Sequence, residues 1–578
     1  MTAERLLIRG GTVVDGSGGE PYPADVLLAD GIIAAVGPDL APDRSGQASQ
    51  TGVSQMDATG LLVTPGFIDV HTHYDGQATW EQTLGPSSGH GVTTVVMGNC
   101  GVGFAPCRPG SRDSLVRLME GIEDIPEIVM TEGLPWSWQT FPEYLDFLGA
   151  RSFDVDLAAQ LPHAALRVYV MGERGMAREP ATEADMAQMR DLAQEAVEAG
   201  ALGFSTSRSV NHKTVDGDPT PSFDAAEREL HMIADGLARA GRGVLQVITD
   251  FPDPDLVPER MRLLIGLARE SGRPLSFTLA QFHSAPRSWP EVLRRTEEAH
   301  AAGVPIRGQV FPRAMGLLMG HDTSRNPFTA SPSYAALAGL PLEQRVAALR
   351  RPDRRARILA ESETAGRTGR QRDFDWVFPL RCLADYEPGP RDSIAALARA
   401  RGVSPAEVAY DIMLERDGQG MLWAGFANII DGSLEPALAM MKSPATIIGL
   451  GDGGAHYGLI CDSSFPTFLL SYWGRDRIKG ERLPVPSIVK SLTSDAARAV
   501  GLSDRGLVRP GYKADLNLID FEALTLRVPQ VRHDLPSGGR RLTQAADGYR
   551  ATIVSGAVTY RGGQATGELP GRLVRGPQ

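Results

Sequence analysis

Cysteine is sparse in this 578-residue chain: Cys100, Cys107, Cys382 and Cys461 are all it has. Their spacing gives neither a disulfide framework nor a zinc-knuckle pattern. No run of about 18 apolar residues occurs, so no membrane-crossing helix is expected. Met1-Thr2-Ala3-Glu4 leads into a strand-like run rather than a charged and apolar leader, and a cytoplasmic protein is expected. An excess of positive charge is missing too. The formal net charge of −12 argues against nucleic acid or an anionic membrane as the main partner and leaves a small molecule as the expected one. Internal repeats and low-complexity segments are absent, and lysine is scarce beside arginine, which we read as a trace of GC-rich coding. What remains, 42% apolar and 22% charged residues, is the composition of a soluble globular protein, compatible with a homo-oligomer. The length fits one barrel of about 250 or more residues with insertions plus something smaller.

The most informative stretch is Leu61 to Cys100. Leu61 to Val70 is an apolar, β-branched run broken by Thr64-Pro65-Gly66, which reads as a buried parallel strand. It ends in His71-Thr72-His73. Residues i and i+2 of a strand point to one side, about 7 Å apart along the backbone, so both imidazoles can reach one metal ion. Val92 to Met97 is a second buried strand, followed by Gly98-Asn99-Cys100. Two strands in succession thus deliver metal-ligand residue types at their C-terminal ends, where barrels of parallel strands build active sites.

Along the chain, Leu6 to Asp15, Ala24 to Leu28 and Ile32 to Val36 read as a strand meander, and Gly46 to Gln55 as a loop. Asp515 to Asp520, Arg550 to Ser555 and Val558 to Arg561 read as short strands at the other end. Between the ends, strand-like runs (Leu157 to Leu161, Val168 to Met171, Gly203 to Thr206, Gly243 to Thr249, Leu275 to Leu279, Ile306 to Phe311, Thr446 to Leu450) alternate mostly with helical patterns. The clearest helix is Thr182 to Gly200, with Thr182 as N-cap, Asp185 three residues on and Gly200 as C-cap. Such alternation means parallel strands with crossover helices. From about 320 to 415 the pattern loosens, with Leu342 to Glu361 helical and broken by Pro352. That segment reads as an insertion or lid on the C-terminal face of the barrel.

Thr446 to His456 reads TIIGLGDGGAH, a buried strand, an acid and two glycines. Together with PGFIDVHTH and with Gly506 to Asp515 (GLVRPGYKAD), it resembles the amidohydrolase superfamily. GVTTVVMGNCGVGFAP resembles a narrower branch, the N-acyl-D-amino acid deacylases or D-aminoacylases. The resemblance implies a TIM-like (β/α)8 barrel over residues 59–499, flanked by a small β-sandwich built from residues 1–58 and 500–578. It also implies one or two divalent ions, zinc above all, held by His71, His73, Cys100 and Asp452. Asp452 would be the acid/base that shuttles the proton of the attacking water. His163, in LPHAALR, matches a segment near the family's site. Arg208 and His212, in a polar loop after Gly203 to Thr206, are candidates to hold a substrate carboxylate, and His456 is a candidate beside Asp452.

The chain departs from the family in one respect. The runs matching the middle strands that usually supply one histidine each, Val244 to Phe251 and Leu275 to Phe282, contain none. Either one metal is held by fewer ligands, or other residues substitute, or the metal is lost. The leading expectation is hydrolysis of a linear amide C–N bond of an N-acyl-D-amino acid. A hydantoinase-like opening of a cyclic amide is disfavoured, because those enzymes carry a carboxylated lysine and Lys213 lies in a polar loop. A barrel without metal, serving as a binding protein, is the third reading.

Overall fold

The computed structural model describes residues 5–40, 53–364, 370–380 and 386–576. Cys382 and most of the expected loop Gly46 to Gln55 lie outside the described residues; its last residues belong to the strand Val53–Asp57.

Eight strands form one parallel sheet and follow each other in chain order: β1 (Phe67–Asp69), β2 (Val92–Met97), β3 (Asp156–Pro162), β4 (Gly203–Arg208), β5 (Val244–Thr249), β6 (Leu275–Thr278), β7 (Ile306–Val310) and β8 (Thr446–Ile448). The curled sheet meets itself just beyond β1 and β8, where Thr72 and Gly453 form a parallel bridge. His73 N donates to Gly453 O at 2.7 Å and Asp452 N to His71 O at 3.0 Å. The residues that close the barrel are therefore the HTH and GDGG motifs themselves.

The helices on this sheet are α1 (Arg112–Glu123), α2 (His163–Met171), α3 (Glu183–Glu198), α4 (Glu227–Ala240), α5 (Val257–Ser271) and α6 (Trp289–Ala301). In α3 the expected start is a capping box. Thr182 accepts from Asp185 N at 3.2 Å, and the Asp185 carboxylate accepts from Thr182 N at 2.9 Å. Met186, Met189, Ala193, Ala196 and Val197 are its buried stripe. Val168 to Met171, expected as strand, is the end of helix α2. A short all-apolar run carries no period, and the polar groups that decide it lie elsewhere in the chain.

The run Leu61 to Val70 is not one strand. Leu62–Pro65 pairs antiparallel with Leu516–Ile519, and β1 begins the barrel two residues on. Gly66 is the junction, and a Cβ there would fall 2.1 Å from Thr93 Oγ1, so the close packing of the two sheets admits only glycine. The other sheet has nine strands, drawn from Arg5–Val13 to Leu62–Pro65 at one end and Leu516–Ile519 to Gln564–Ala565 at the other. Both termini thus build one β-sandwich, with Leu6, Ile8, Val26, Leu516 and Ile553 in its core.

Between β7 and β8 the chain leaves the barrel. It forms a three-stranded antiparallel sheet, Met315–Met319, Val377–Leu380 and Met421–Ala427, over a separate apolar core that includes Phe328, Leu349, Tyr410 and Leu422. Pro352 starts a new helix, as expected, after Leu342–Leu349 ends.

Candidate active site

The C-terminal ends of β1, β2 and β8 converge. The rings of His71 and His73 lie 5.5 Å apart, centre to centre, and both residues are 1% exposed. His71 Nε2 is 3.3 Å from Asp452 Oδ1 and 3.3 Å from Cys100 Sγ, and His73 Nε2 is 3.7 Å from the same Asp452 oxygen. Three of the residues here sit in the left-handed backbone region, Cys100 at φ 57°, Asp452 at 48° and His456 at 51°. Each such position costs about 1–3 kcal/mol and is held by its surroundings. For Cys100 the holder is Gln246, whose Oε1 accepts from Cys100 N at 3.1 Å. Gln309 Oε1 accepts from His71 Nδ1 at 2.8 Å, which puts the ring proton on Nδ1 and leaves the Nε2 lone pair for an ion.

The donor set fits a divalent ion of the zinc type. Tetrahedral zinc with ligands at about 2.0–2.3 Å needs them about 3.3–3.7 Å from one another, which matches His71 Nε2 to Asp452 and to Cys100 and His73 Nε2 to Asp452. His73 has no hydrogen-bond partner on either ring nitrogen, an expensive state for a buried ring unless an ion takes one of them. His71, His73 and Cys100 bring their ligand atoms within 4.8 Å of one another. Two imidazoles, a thiolate and a carboxylate are the borderline-soft mixture that suits zinc.

The electrostatics agree. Burial lowers His71 to about 4, so it is a neutral ligand. Burial would also lower His73, but the Glu123 carboxylate, with Cys100 and Asp452, holds it well above the usual imidazole value. Asp452 is opposed by burial, yet the rings of His73, His71 and His456 keep it below the usual carboxylate range. Burial pushes the Cys100 thiol up to about 12, so its deprotonation calls for a cation.

A cavity of about 410 Å³ opens over these groups. Ile122, Ile248, Phe282, Met315, Leu317, Phe426 and Ile460 give it apolar walls, and Glu123, Asp250, Asp452, His212 and His456 give it polar ones. Met315, Leu317 and Phe426 belong to the segment between β7 and β8. No arginine or lysine lines the cavity among the described residues. His212 does line it, with Nδ1 tied to Ser207 Oγ at 2.8 Å and its pKa pushed down to about 3 by burial. It is a neutral group and not a cation.

Two expected site residues lie elsewhere. Arg208, the last residue of β4, points to the outer side of the barrel, where Nη1 donates to Ala225 O at 3.0 Å and the side chain meets Glu227 and Arg260 in a separate cleft. Strand alternation gives the reason: Ser207 faces the cavity side and its neighbour must face away. His163 is fully buried behind the sheet, with Nδ1 2.8 Å from Thr206 Oγ1 and Nε2 2.8 Å from Glu229 Oε1. Arg167 donates to both oxygens of that glutamate. The middle strands β5 and β6 carry Gln246, Thr249 and Thr278 but no histidine. Lys213 is exposed, so no lysine offers itself as a bridging ligand. The sequence reading passed over Glu123 and Gln309, which belong to no motif and reach the site only through the fold.

A closed parallel barrel with histidine, cysteine and aspartate at its C-terminal end, flanked by a sandwich from both termini, is the build of a metal-dependent amide hydrolase. The chain belongs to the Amidohydrolase family, whose model matches residues 55–560, and it is a hydrolase of carbon–nitrogen bonds other than peptide bonds. It is 28% identical to a D-aminoacylase of Alcaligenes xylosoxydans over 98% of this chain and 97% of that one. An uncharacterized protein of Mycobacterium tuberculosis is also 28% identical, over 98% and 93% of the two chains. Among solved structures, an N-acyl-D-glutamate deacylase of Bordetella bronchiseptica, crystallised with zinc and a phosphonate inhibitor, superposes with a TM-score of 0.62 at 21% identity, covering all of both chains.

Proposed function

We propose that this protein hydrolyses the linear amide bond of an N-acylated amine, in the manner of a D-aminoacylase, at a single metal centre made by His71, His73, Cys100 and Asp452. The observation that carries the reading is the convergence of His71, His73 and Cys100, their ligand atoms within 4.8 Å of one another, with Asp452 Oδ1 3.3 Å from His71 Nε2 and 3.7 Å from His73 Nε2, beside a large cavity at the C-terminal end of the barrel. A divalent ion held there supplies acidification of water and polarisation of the amide carbonyl.

The chain's own residues do the rest. Asp452, its carboxylate kept ionised by three imidazoles, accepts the proton of the attacking water and returns it to the leaving nitrogen. Gln309 and Gln246 keep His71 and Cys100 in place. Ile248, Phe282 and Phe426 receive the acyl chain and exclude water from it. His212 and His456 face the leaving group with neutral or hydrogen-bonding nitrogens. The likeness to D-aminoacylase favours an N-acyl-D-amino acid as substrate. A second reading, an N-acylated amine without a carboxylate, is favoured by a lining that holds Glu123, Asp250 and Asp452 but no cation among the described residues.

Amine release from paired N-acyl-D-amino acids, their L-isomers and their carboxamides tests both. Turnover should be lost on chelation and restored by about one equivalent of zinc. A preference for the free acids selects the first reading, and a preference for the carboxamides the second. Turnover that survives complete metal removal overturns the metal-dependent mechanism.

A further inference from the structure

Glu123 has no task in the reaction as set out so far, yet its placement is elaborate. It ends α1 and is 1% exposed. Neither carboxylate oxygen has a hydrogen-bond partner, a costly condition for a charge out of water. The helix end is nevertheless pinned to the loop that carries Asp452 and His456. Glu123 O accepts from His456 N. Asp124, in the left-handed region at φ 52°, accepts from Gly458 N and from Ser324 Oγ, both at 2.9 Å. These bonds set the Glu123 carboxylate between two imidazoles, with Oε1 3.5 Å from His73 Nδ1 and Oε2 3.6 Å from His456 Nε2.

We propose that Glu123 is a positioning residue of the metal centre, accepting the Nδ1 proton of His73 so that the Nε2 lone pair is directed at the ion, and steadying His456 over the cavity with its other oxygen. The inference rests on the reading of the site as a metal centre. Both gaps exceed a normal hydrogen bond by about 0.6 Å, a distance that a small turn of the terminal carboxylate torsion or of the rings closes. His71 already has its partner in Gln309. His73 otherwise has none, and a histidine ligand keeps its orientation and basicity through the bond its second nitrogen makes. Each ring faces a different oxygen of Glu123, and a carboxylate offers an acceptor to both. A glutamine in its place turns its NH2 donor toward one of them, so that ring must turn or change tautomer.

Metal binding tests this without reference to turnover. Apo protein is titrated with cobalt(II) against a chromophoric chelator, and the visible and near-ultraviolet bands are recorded. The parental protein should bind about one ion per chain and show a thiolate charge-transfer band from Cys100. Glu123→Gln should bind cobalt about 10–100-fold more weakly, with shifted visible bands and the thiolate band retained. His456→Ala should stay within about threefold of the parent, and the Glu123→Gln loss should persist in that background. Where Glu123→Gln does not fold, nitrogen NMR of the zinc-loaded parental protein decides, because His73 must carry its proton on Nδ1. A proton on His73 Nε2, or equal affinity and bands in Glu123→Gln, overturns the inference and leaves the hydrolytic reading standing. A parental protein that binds no ion overturns both.

Discussion

Asp452 is reached from two directions: its backbone N–H is bonded to His71 O, and its Oδ1 faces both imidazoles. A carboxylate so placed can take a proton only if it is ionised, and the surrounding rings see to that. Asp452→Asn keeps the shape and loses the basicity. We expect kcat to fall at least about a hundredfold with KM little changed, as read by steady-state kinetics beside a melting curve that does not move. Arg208→Ala serves as the contrast. The side chain bonds Ala225 O on the outer side of the barrel, so KM should stay within about twofold of the parental value; a larger rise would return it to the substrate. His71, His73 and Asp452 were legible as a group because strand ends and the flanking glycines announce them. Glu123 was not, because nothing local distinguishes a glutamate at the end of an amphipathic helix from a solvated one.

Among the elements, α2 and α4 are held to the sheet by a buried polar pin. His163 of α2 touches Thr206 of β4 and Glu229 of α4, and Arg167 clamps the same glutamate. The sequence pointed to His163 as a site residue because LPHAALR resembles a family segment that follows the third strand. The helix that begins at that residue turns its ring away from the cavity. Burial opposes ionisation of Glu229, but the hydrogen bond from His163 and the charge of Arg167 lower its pKa, and burial lowers that of His163. Both folded values lie below the unfolded ones. The pin is therefore fully present at neutral pH, and it weakens as pH falls below about 6.5 for His163 and then below about 4.3 for Glu229. Glu229→Gln leaves Arg167 buried without its counter-charge, at a cost of about 3–5 kcal/mol. Urea unfolding should show that deficit at pH 7, and the gap between parent and variant should narrow toward pH 4. A gap that does not depend on pH would mean that packing, not charge, holds the helices.

At the scale of the molecule, barrel and sandwich share a buried ionic joint. Asp156, at the start of β3 and 3% exposed, accepts from Arg505 Nη1 at 2.7 Å and from Lys513, while its other oxygen accepts from Arg572 N at 2.9 Å. Arg505 also donates to Thr94 Oγ1 of β2 at 2.9 Å. The chain end comes back to the barrel a second time, where Phe153 and Gly571 exchange backbone hydrogen bonds of 3.0 and 2.8 Å. We propose on these grounds that residues beyond 500 do not unfold apart from the barrel. Asp156→Ala leaves Arg505 to pair with Asp504 alone and removes the charged hydrogen bonds across the joint, which should lower stability by about 1.5–3 kcal/mol. Calorimetry should still record a single transition, at lower temperature. Two resolved transitions would show that sandwich and barrel are separate cooperative units.

The sequence by itself determined what is local or periodic. The two-residue repeat of a strand put His71 and His73 on one side, the capping box began α3, Pro352 broke a helix, and the alternation of runs called for a parallel barrel. These features need no distant partner to be read. The tertiary structure alone decided which histidines meet the cavity, that Leu61 to Val70 serves two sheets, and that Glu123, Gln309 and Gln246 brace the ligands. Each of those outcomes depends on a contact between residues tens to hundreds of positions apart. Those contacts exist only in the assembled fold, and no local propensity encodes them.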